Sequence, residues 1–233
     1  MARHWSSTAA TRFLHDGALM EPTEHNRRAW DELHRGRPNP LAGETGLPPQ
    51  VHRALKALKG RRALSLQSGS GEAAGALAEL GATVTAVDDS EAALAAARER
   101  WPSILWIHGD VQSPPREVQR GRFDLVYTGP GVLDRIRDLD AWARGVELAL
   151  GTGGDLLLFD EHPVARCVDG LMHWRESYFG EGPHGRRLGQ VVSAIARAGL
   201  VIRALEEYPQ AHGNQRHHDP RVPGSFLLHA QRP

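Results

Sequence analysis

The sequence has 233 residues, enough for one α/β domain with a full core, and no shift in composition divides it. Its 28 Lys and Arg balance its 28 Asp and Glu, so it lacks the basic excess that a nucleic-acid partner calls for, and one cysteine, Cys167, excludes an internal disulfide framework. No apolar run reaches the length of a signal-peptide core or a membrane span, so the expectation is a cytoplasmic protein with neither nucleic-acid nor membrane partners.

In chain order, residues 1–22 mix polar and apolar side chains without period and read as a flexible arm; residues 23–233 read as a single domain. Trp30 and Leu33 share one face of a polar helix within residues 24–34, a Pro- and Gly-rich loop follows, and Val51, Leu55 and Leu58 mark a short helix ending at Gly60. Ala63, Leu64 and Leu66 form the apolar run of a buried parallel strand, after which Gly69 and Gly71 allow a tight reversal. Residues 73–80 have helical spacing, with Leu77 and Leu80 on one face and Gly81 as a stop. Val84, Ala86 and Val87 then make a second strand that ends on Asp88 and Asp89.

A right-handed crossover brings the carboxyl ends of both strands to one edge of the sheet, so Asp88 faces the glycine turn across a crevice. A carboxylate in that position can accept hydrogen bonds from ribose hydroxyls. Gly69-Ser70-Gly71-Glu72-Ala73-Ala74 also fits the dinucleotide pattern G-x-G-x-x-A.

Ser90 is a candidate N-cap for a helix that buries Leu94, Ala97 and Trp101; residues 104–107 are the third strand, with Asp110 beyond its carboxyl end. Residues 112–121 read as an irregular connector or a short helix, 123–127 as the fourth strand, 138–150 as a helix carrying Leu139, Trp142, Val146 and Ala149, and 155–159 as the fifth strand. That strand ends in Asp160-Glu161-His162-Pro163. Residues 164–186 hold Trp174, Tyr178 and Phe179 in a stretch without period, either a substrate lid or a cover for the sheet. A helix around Leu188, Val191, Val192 and Ile195 stops at Gly199, and residues 200–206 and 225–230 are the last strands. Their connection carries His212, His217, His218 and Asp219 at no recognised metal spacing, so these read as solvated groups and no metal is expected.

Several of these segments together resemble a family. Leu64-Ser65-Leu66-Gln67-Ser68-Gly69-Ser70-Gly71 resembles the glycine motif of the class I, Rossmann-like S-adenosylmethionine-dependent methyltransferases, and Ala86-Val87-Asp88-Asp89-Ser90 their second motif. Gly109-Asp110-Val111, Phe123-Asp124-Leu125-Val126-Tyr127, residues 153–159 and residues 225–230 follow in the same order. Leu66-Gln67-Ser68-Gly69, Val126-Tyr127-Thr128 and Glu161-His162-Pro163 are similar to a subset that carries Leu-Gln-Cys-x-x-Gly, Val-Tyr-Thr and Glu-x-His-Pro. The resemblance runs from about Trp30 to the end of the chain.

It implies a doubly wound, mostly parallel seven-stranded sheet with helices on both faces and a C-terminal antiparallel strand. It also implies S-adenosyl-L-methionine as cofactor, held around Gln67, Ser68, Gly69, Gly71, Asp88, Asp89, Asp110, Val111, Thr128 and Gly129, with the helix of Trp30 above it. Asp110 or a neighbouring amide would meet the adenine amino group. The chain departs from the superfamily at Ser65, where an acid often helps hold the methionine ammonium group.

Methyl transfer is an in-line displacement for which alignment and electrostatics can suffice, so neither a catalytic triad nor a metal is needed. His162, at the end of the fifth strand, could orient or deprotonate an acceptor or else shape the turn before Pro163; Glu161, Trp174 and Tyr178 are candidate acceptor contacts. The leading expectation is O-, N- or C-methylation of a small molecule, with secondary metabolism as one setting, by a monomer or homodimer. A methyltransferase-like protein that binds the cofactor only or catalyses another reaction stays open. A nicotinamide-dependent oxidoreductase is disfavoured because no Tyr-x-x-x-Lys pair follows.

Overall fold

The computed structural model describes residues 46–169, 173–180, 186–209 and 221–233. The described residues contain helices α1 (Pro49–Ala54), α2 (Glu72–Glu79), α3 (Glu91–Arg100), α4 (Leu139–Ala149) and α5 (Leu188–Arg197). The strands are β1 (Arg62–Leu66), β2 (Thr83–Asp88), β3 (Leu105–His108), β4 (Phe123–Thr128), β5 (Leu150–Glu161), β6 (Val201–Tyr208) and β7 (Ser225–Gln231). They form one sheet in the order β3-β2-β1-β4-β5-β7-β6. The first five strands in chain order are joined by parallel pairings, while β7 runs antiparallel to both β5 and β6. The expected architecture is present.

Period-two alternation gives the sheet two covered faces. Leu64, Leu66, Val126, Leu156 and Leu158 pack with Trp142 and Val146 of α4 and Val191 and Ile195 of α5. Ala63, Ala86, Leu125, Tyr127, Leu157 and Phe159 pack on the other face with Val51, Ala74, Leu77, Leu94 and Ala97 from α1, α2 and α3. α3 starts where Ser90 Oγ accepts from Ala93 N–H (3.2 Å), and α4 where Asp138 Oδ1 accepts from Ala141 N–H (2.9 Å), each satisfying a donor that the first helical turn leaves unpaired. At the amino edge of the sheet, away from the glycine turn, Asp155 is held by Lys56 (3.0 Å), Arg61 (3.3 Å) and His229 (2.9 Å). Burial would push its carboxyl up, but these partners hold it below its ordinary range.

Several elements differ from the sequence reading. α1 ends at Ala54, with Leu55 extended; Leu58 is buried from a coil, and Gly60 turns the chain into β1 at φ 78°. Leu80 caps α2 and is exposed, because burial of Leu77 alone satisfies that face of a helix that stops at Glu79. β3 begins and ends one residue later than expected. β5 begins at Leu150, which pairs with Phe123, and a register shift carries its glycines into the main ladder at Asp155. Of the two forms expected for the connector after β3, it takes the irregular one. The outer edge strand, β6, exposes Val201 and Leu205 but also Arg203, Glu206 and Glu207.

Gly71, at the N-terminus of α2, has φ 93°, and a Cβ there would lie 2.6 Å from Trp106 Cη2 and 3.0 Å from the Trp101 ring. Gly71→Ala therefore combines backbone strain with overpacking and should destabilise by at least ~2 kcal/mol. Urea unfolding checks this, and an unchanged midpoint would show that the tryptophans yield without cost.

Candidate functional site

The carboxyl ends of β1, β2 and β4 open into one cleft. Its inner wall is Ser65, Leu66, Gln67, Ser68 and Gly69 from β1 and its turn; Asp88 and Ser90 close one side, and Tyr127 with residues 129–132 and Arg135 close the other. Leu47, Pro48, Glu72 and Ala73 also line it.

The turn after β1 needs three residues at positive φ, Gln67 (54°), Gly69 (53°) and Gly71 (93°). Two of them are glycine, for which this region carries no Cβ penalty, and Gln67 bears the strain of a side chain there. Ser68 Oγ donates to the Ser65 carbonyl (2.9 Å) and lies 3.0 Å from Ser65 Oγ, folding the turn back on its strand. Gly69 N–H donates to Asp88 Oδ2 (2.8 Å) and Ser90 N–H to Asp88 Oδ1 (2.9 Å). Asp88 thus faces the glycine turn as expected, with each oxygen keeping acceptor capacity beyond one backbone bond. Burial pushes the Asp88 carboxyl up; Arg135 and the two amides pull it back.

Asp160, at the end of β5, repeats the device one loop along. Its oxygens accept from Gly131 N–H (2.8 Å), Leu133 N–H (2.9 Å) and Glu161 N–H (2.7 Å), which fixes the turn after β4 along the cleft. Complete burial pushes its carboxyl up to about 6 against these donors.

Two polar groups on the cleft wall have no partner among the described residues: both amide atoms of Gln67 and the hydroxyl of Tyr127. Tyr127 is almost wholly buried, and burial, with Asp160 nearby, raises its hydroxyl well above the ordinary phenol range. Gly129 leaves room beside it, since a Cβ there would sit 2.8 Å from Tyr127 Oη.

The structure gathers Gln67, Ser68, Gly69, Asp88 and Gly129 on the cleft. It places the other candidates around it. Gly71 caps α2 behind the turn. Asp89 forms an ion pair with Arg135, which reaches it from the far side of β1. Asp110 is exposed and accepts from Gln112 N–H (2.8 Å). Val111 lies in the core, and Thr128 is fully buried, its Oγ1 3.4 Å from the Leu66 carbonyl. Trp30, His212, His217, His218 and Asp219 lie outside the described residues. No group of three His, Cys, Asp or Glu suited to a metal occurs among those described.

Both ring nitrogens of His162 are engaged within the fold. Its Nδ1 accepts from Val164 N–H (3.1 Å) at the start of the 3-10 turn Pro163–Cys167, and its Nε2 lies 2.9 Å from Glu207. An acceptor Nδ1 leaves the proton on Nε2, so both nitrogens of this buried ring are engaged; burial lowers its pKa, against Glu207, which raises it. Glu161 differs. Its Oε2 accepts from Arg166 (3.2 Å), but its Oε1 is buried and unpartnered among the described residues. Burial, and then Asp160, push its carboxyl up to about 7. In the 164–186 segment Tyr178 Oη accepts from Leu188 N–H (3.1 Å) at the start of α5, and Trp174 is largely exposed; neither lines the cleft.

Sequence reasoning did not single out Arg135, Tyr127 or Asp160 for the site. Arg135 stands at no motif spacing, and Tyr127 read as a core strand residue. Asp160 carried a usable signal, a carboxylate at the end of a buried strand.

Residues 63–154 match a family profile described as a methyltransferase domain. An uncharacterized methyltransferase of Synechocystis sp. is 34% identical over 104 residues, 44% of this chain and 48% of that protein, so the chain spans about half the length of the curated relative it matches. A solved S-adenosylmethionine-dependent methyltransferase from Mesorhizobium loti aligns with TM-score 0.65 at 24% identity, over 79% of this chain and 96% of that one. The [4+2]-cyclase SpnF aligns with TM-score 0.67 at 16% identity, over 94% and 99%. At these identities the structural likeness is one of fold.

The Asp160 clamp has a pH signature. Its carboxyl stands at about 6 when folded against 3.8 ordinarily, so the folded state binds the proton more tightly and stability falls as pH rises from about 4 to about 6. The unfolding free energy of the wild type minus that of Asp160→Asn, which cannot titrate, should therefore fall by about 3 kcal/mol across that window. Denaturant titrations at several pH values test this, and a flat difference would contradict it.

Proposed function

We propose that the chain carries a methyltransferase domain of the class I, Rossmann-like S-adenosylmethionine-dependent family and that it transfers a methyl group from S-adenosyl-L-methionine to a small-molecule acceptor. The observation that carries this reading is the cleft itself, where a positive-φ turn is pinned to Asp88 and two buried polar groups stand unpaired. Buried polar groups are ordinarily satisfied, so their pairing is left to a polar ligand.

The residues fit such a ligand. The turn at Gln67, Ser68 and Gly69 would lie under it, and Asp88 would accept from the ribose hydroxyls. When bound, S-adenosylmethionine supplies a methyl group on a positively charged sulfur. The chain's part is to hold ligand and acceptor in line and to keep water out, with the turn at residues 129–132, fixed by Asp160, bordering the acceptor side. We assign Glu161 to acceptor binding, because its Oε1 is unpaired while both His162 nitrogens are engaged. The balance of 28 cationic and 28 anionic residues supports a small acceptor over nucleic acid. No helix among the described residues is long and apolar enough to cross a membrane.

Ser65 favours a second reading, a protein that keeps the fold but performs another reaction. Where the family often has an acid, this chain has a hydroxyl bound to Ser68, and the [4+2]-cyclase shares the fold. Turnover separates the two readings, since only the first consumes S-adenosylmethionine.

S-adenosylhomocysteine at about 100 times its dissociation constant should stabilise the protein by roughly 2.7 kcal/mol, and NAD should not. Asp88→Ala should weaken S-adenosylhomocysteine binding roughly tenfold to a hundredfold. Calorimetry showing full affinity in the folded variant would remove Asp88 from the ribose site, and absence of any shift in the wild type would remove the cofactor.

A further inference from the structure

α4 and α5 both begin at the edge of the sheet on which the cleft opens. α4 follows the carboxyl end of β4, and α5 leads into β6, which runs in the same direction as β5 because both are antiparallel to β7. An open groove runs along α5 beside the start of α4, with Tyr178 and Phe179 on its wall. Arg137, Arg186, Arg187 and Arg197 line it against only Asp138 and Asp140, in a chain whose 28 cationic and 28 anionic residues balance overall. Like charges gathered in this way repel, and a bound anion relieves the repulsion.

Two of the four arginines are committed to the fold. Arg197 donates through Nε and Nη2 to Asp140 Oδ1 (3.0 and 2.8 Å). Arg186 donates through Nη2 to the carbonyls of Ile136 and Arg137, the second at 2.6 Å, and so ties the start of α5 to the loop that leaves β4. Its Nε is nonetheless buried without a partner among the described residues, and burial lowers its pKa, against Asp138, which raises it.

Arg187 is placed differently. Its guanidinium lies over the Phe179 ring, 5.7 Å from the centroid, and Phe179 stands edge-on to Tyr178 at 5.3 Å. Tyr178 Oη accepts from Leu188 N–H (3.1 Å), which anchors the aromatic pair to α5 while Phe179 stays 72% exposed. An arginine resting on a ring keeps its N–H edge available as a planar fork, the shape that carboxylates and phosphates match with two hydrogen bonds.

Resting on the methyl-transfer reading above, we propose that this groove binds the phosphate or carboxylate end of the methyl acceptor, with Arg187 as the fork that grips it. The loop that borders the cleft at residues 129–132 and Arg135 continues into Arg137 and Asp138, which line the groove. An acceptor whose reacting atom lies in the cleft therefore has a path along one loop to the arginines. The acceptor is thereby assigned to anionic small molecules, and the aromatic pair ahead of α5 serves to position the cation that selects them.

Calorimetry at low ionic strength with pyrophosphate and with citrate tests the groove on wild type, Arg187→Gln and Arg98→Gln, the last removing a cation that pairs with Glu91 on α3. The wild type should bind at least one of the two anions, and the better-bound one distinguishes a phosphoryl-bearing acceptor from a carboxylate-bearing one. Arg187→Gln should bind it roughly tenfold or more weakly, as expected for lost hydrogen bonds to a charged group, and Arg98→Gln with unchanged affinity. Both variants should keep the wild-type affinity for S-adenosylhomocysteine, since neither residue lines the cleft. Binding of neither anion, or equal losses in the two variants, would overturn the assignment while leaving the methyl-transfer reading intact. A parallel loss of S-adenosylhomocysteine affinity in Arg187→Gln would also overturn it, because the groove would then belong to the cofactor. A wild type that binds an anion but not S-adenosylhomocysteine would overturn the methyl-transfer reading, and the acceptor role of the groove with it.

Discussion

The cleft depends on burying two carboxylates at the ends of strands. A strand that stops at the carboxyl edge of a parallel sheet delivers a loop whose N–H groups have no ladder to join. Asp88 collects those of Gly69 and Ser90, and Asp160 those of Gly131, Leu133 and Glu161. Each acid removes its charge from water, which raises both pKa values, and each is compensated by donors aimed at it. The arrangement fixes two loops relative to the sheet, and the Asp89–Arg135 ion pair joins them across β1. The space between them is therefore as rigid as the strands β1, β2, β4 and β5 beneath it.

Much of this was legible in the chain because the signals were local. The apolar run Ala63, Leu64 and Leu66, the glycines at 69 and 71 and the acid at Asp88 lie within one crossover, and its handedness brings them to one edge. The seven-stranded order was legible through the family resemblance and through strands marked by buried runs, such as Leu156 to Phe159 and Phe226 to Leu228. What was not legible depended on contacts distant in sequence. His162 meets Glu207, 45 positions later, in an interaction that no spacing announces. Arg135 reaches Asp89 over β1, and Tyr127 becomes a cleft residue only because it is paired with Ser65. Leu80 misled for the opposite reason: helical spacing placed it with Leu77, but the helix had already ended.

The C-terminal hairpin has a part in the site although it lies beyond it. β7, inserted antiparallel between β5 and β6, pairs with β5 from Asp155 to Glu161 and so fixes the segment from which Asp160 and Glu161 project. Through Glu207, β6 holds the His162 ring, which faces Phe226 edge-on and starts the turn at Pro163. A histidine beside a candidate active site thus works as a joint between the sheet and the chain that follows it. Glu161, one residue earlier, is left with the unpaired atom.

An edge strand is an invitation to other strands, since its outward N–H and C=O groups can template further pairing. β6 carries exposed Val201 and Leu205, which alone would make it a sticky border, but Arg203, Glu206 and Glu207 stand among them. A chain docking edge to edge would have to strip water from three charges along that rim. The sheet is thereby discouraged from growing into a continuous β-structure in the crowded interval when neighbouring chains are still folding.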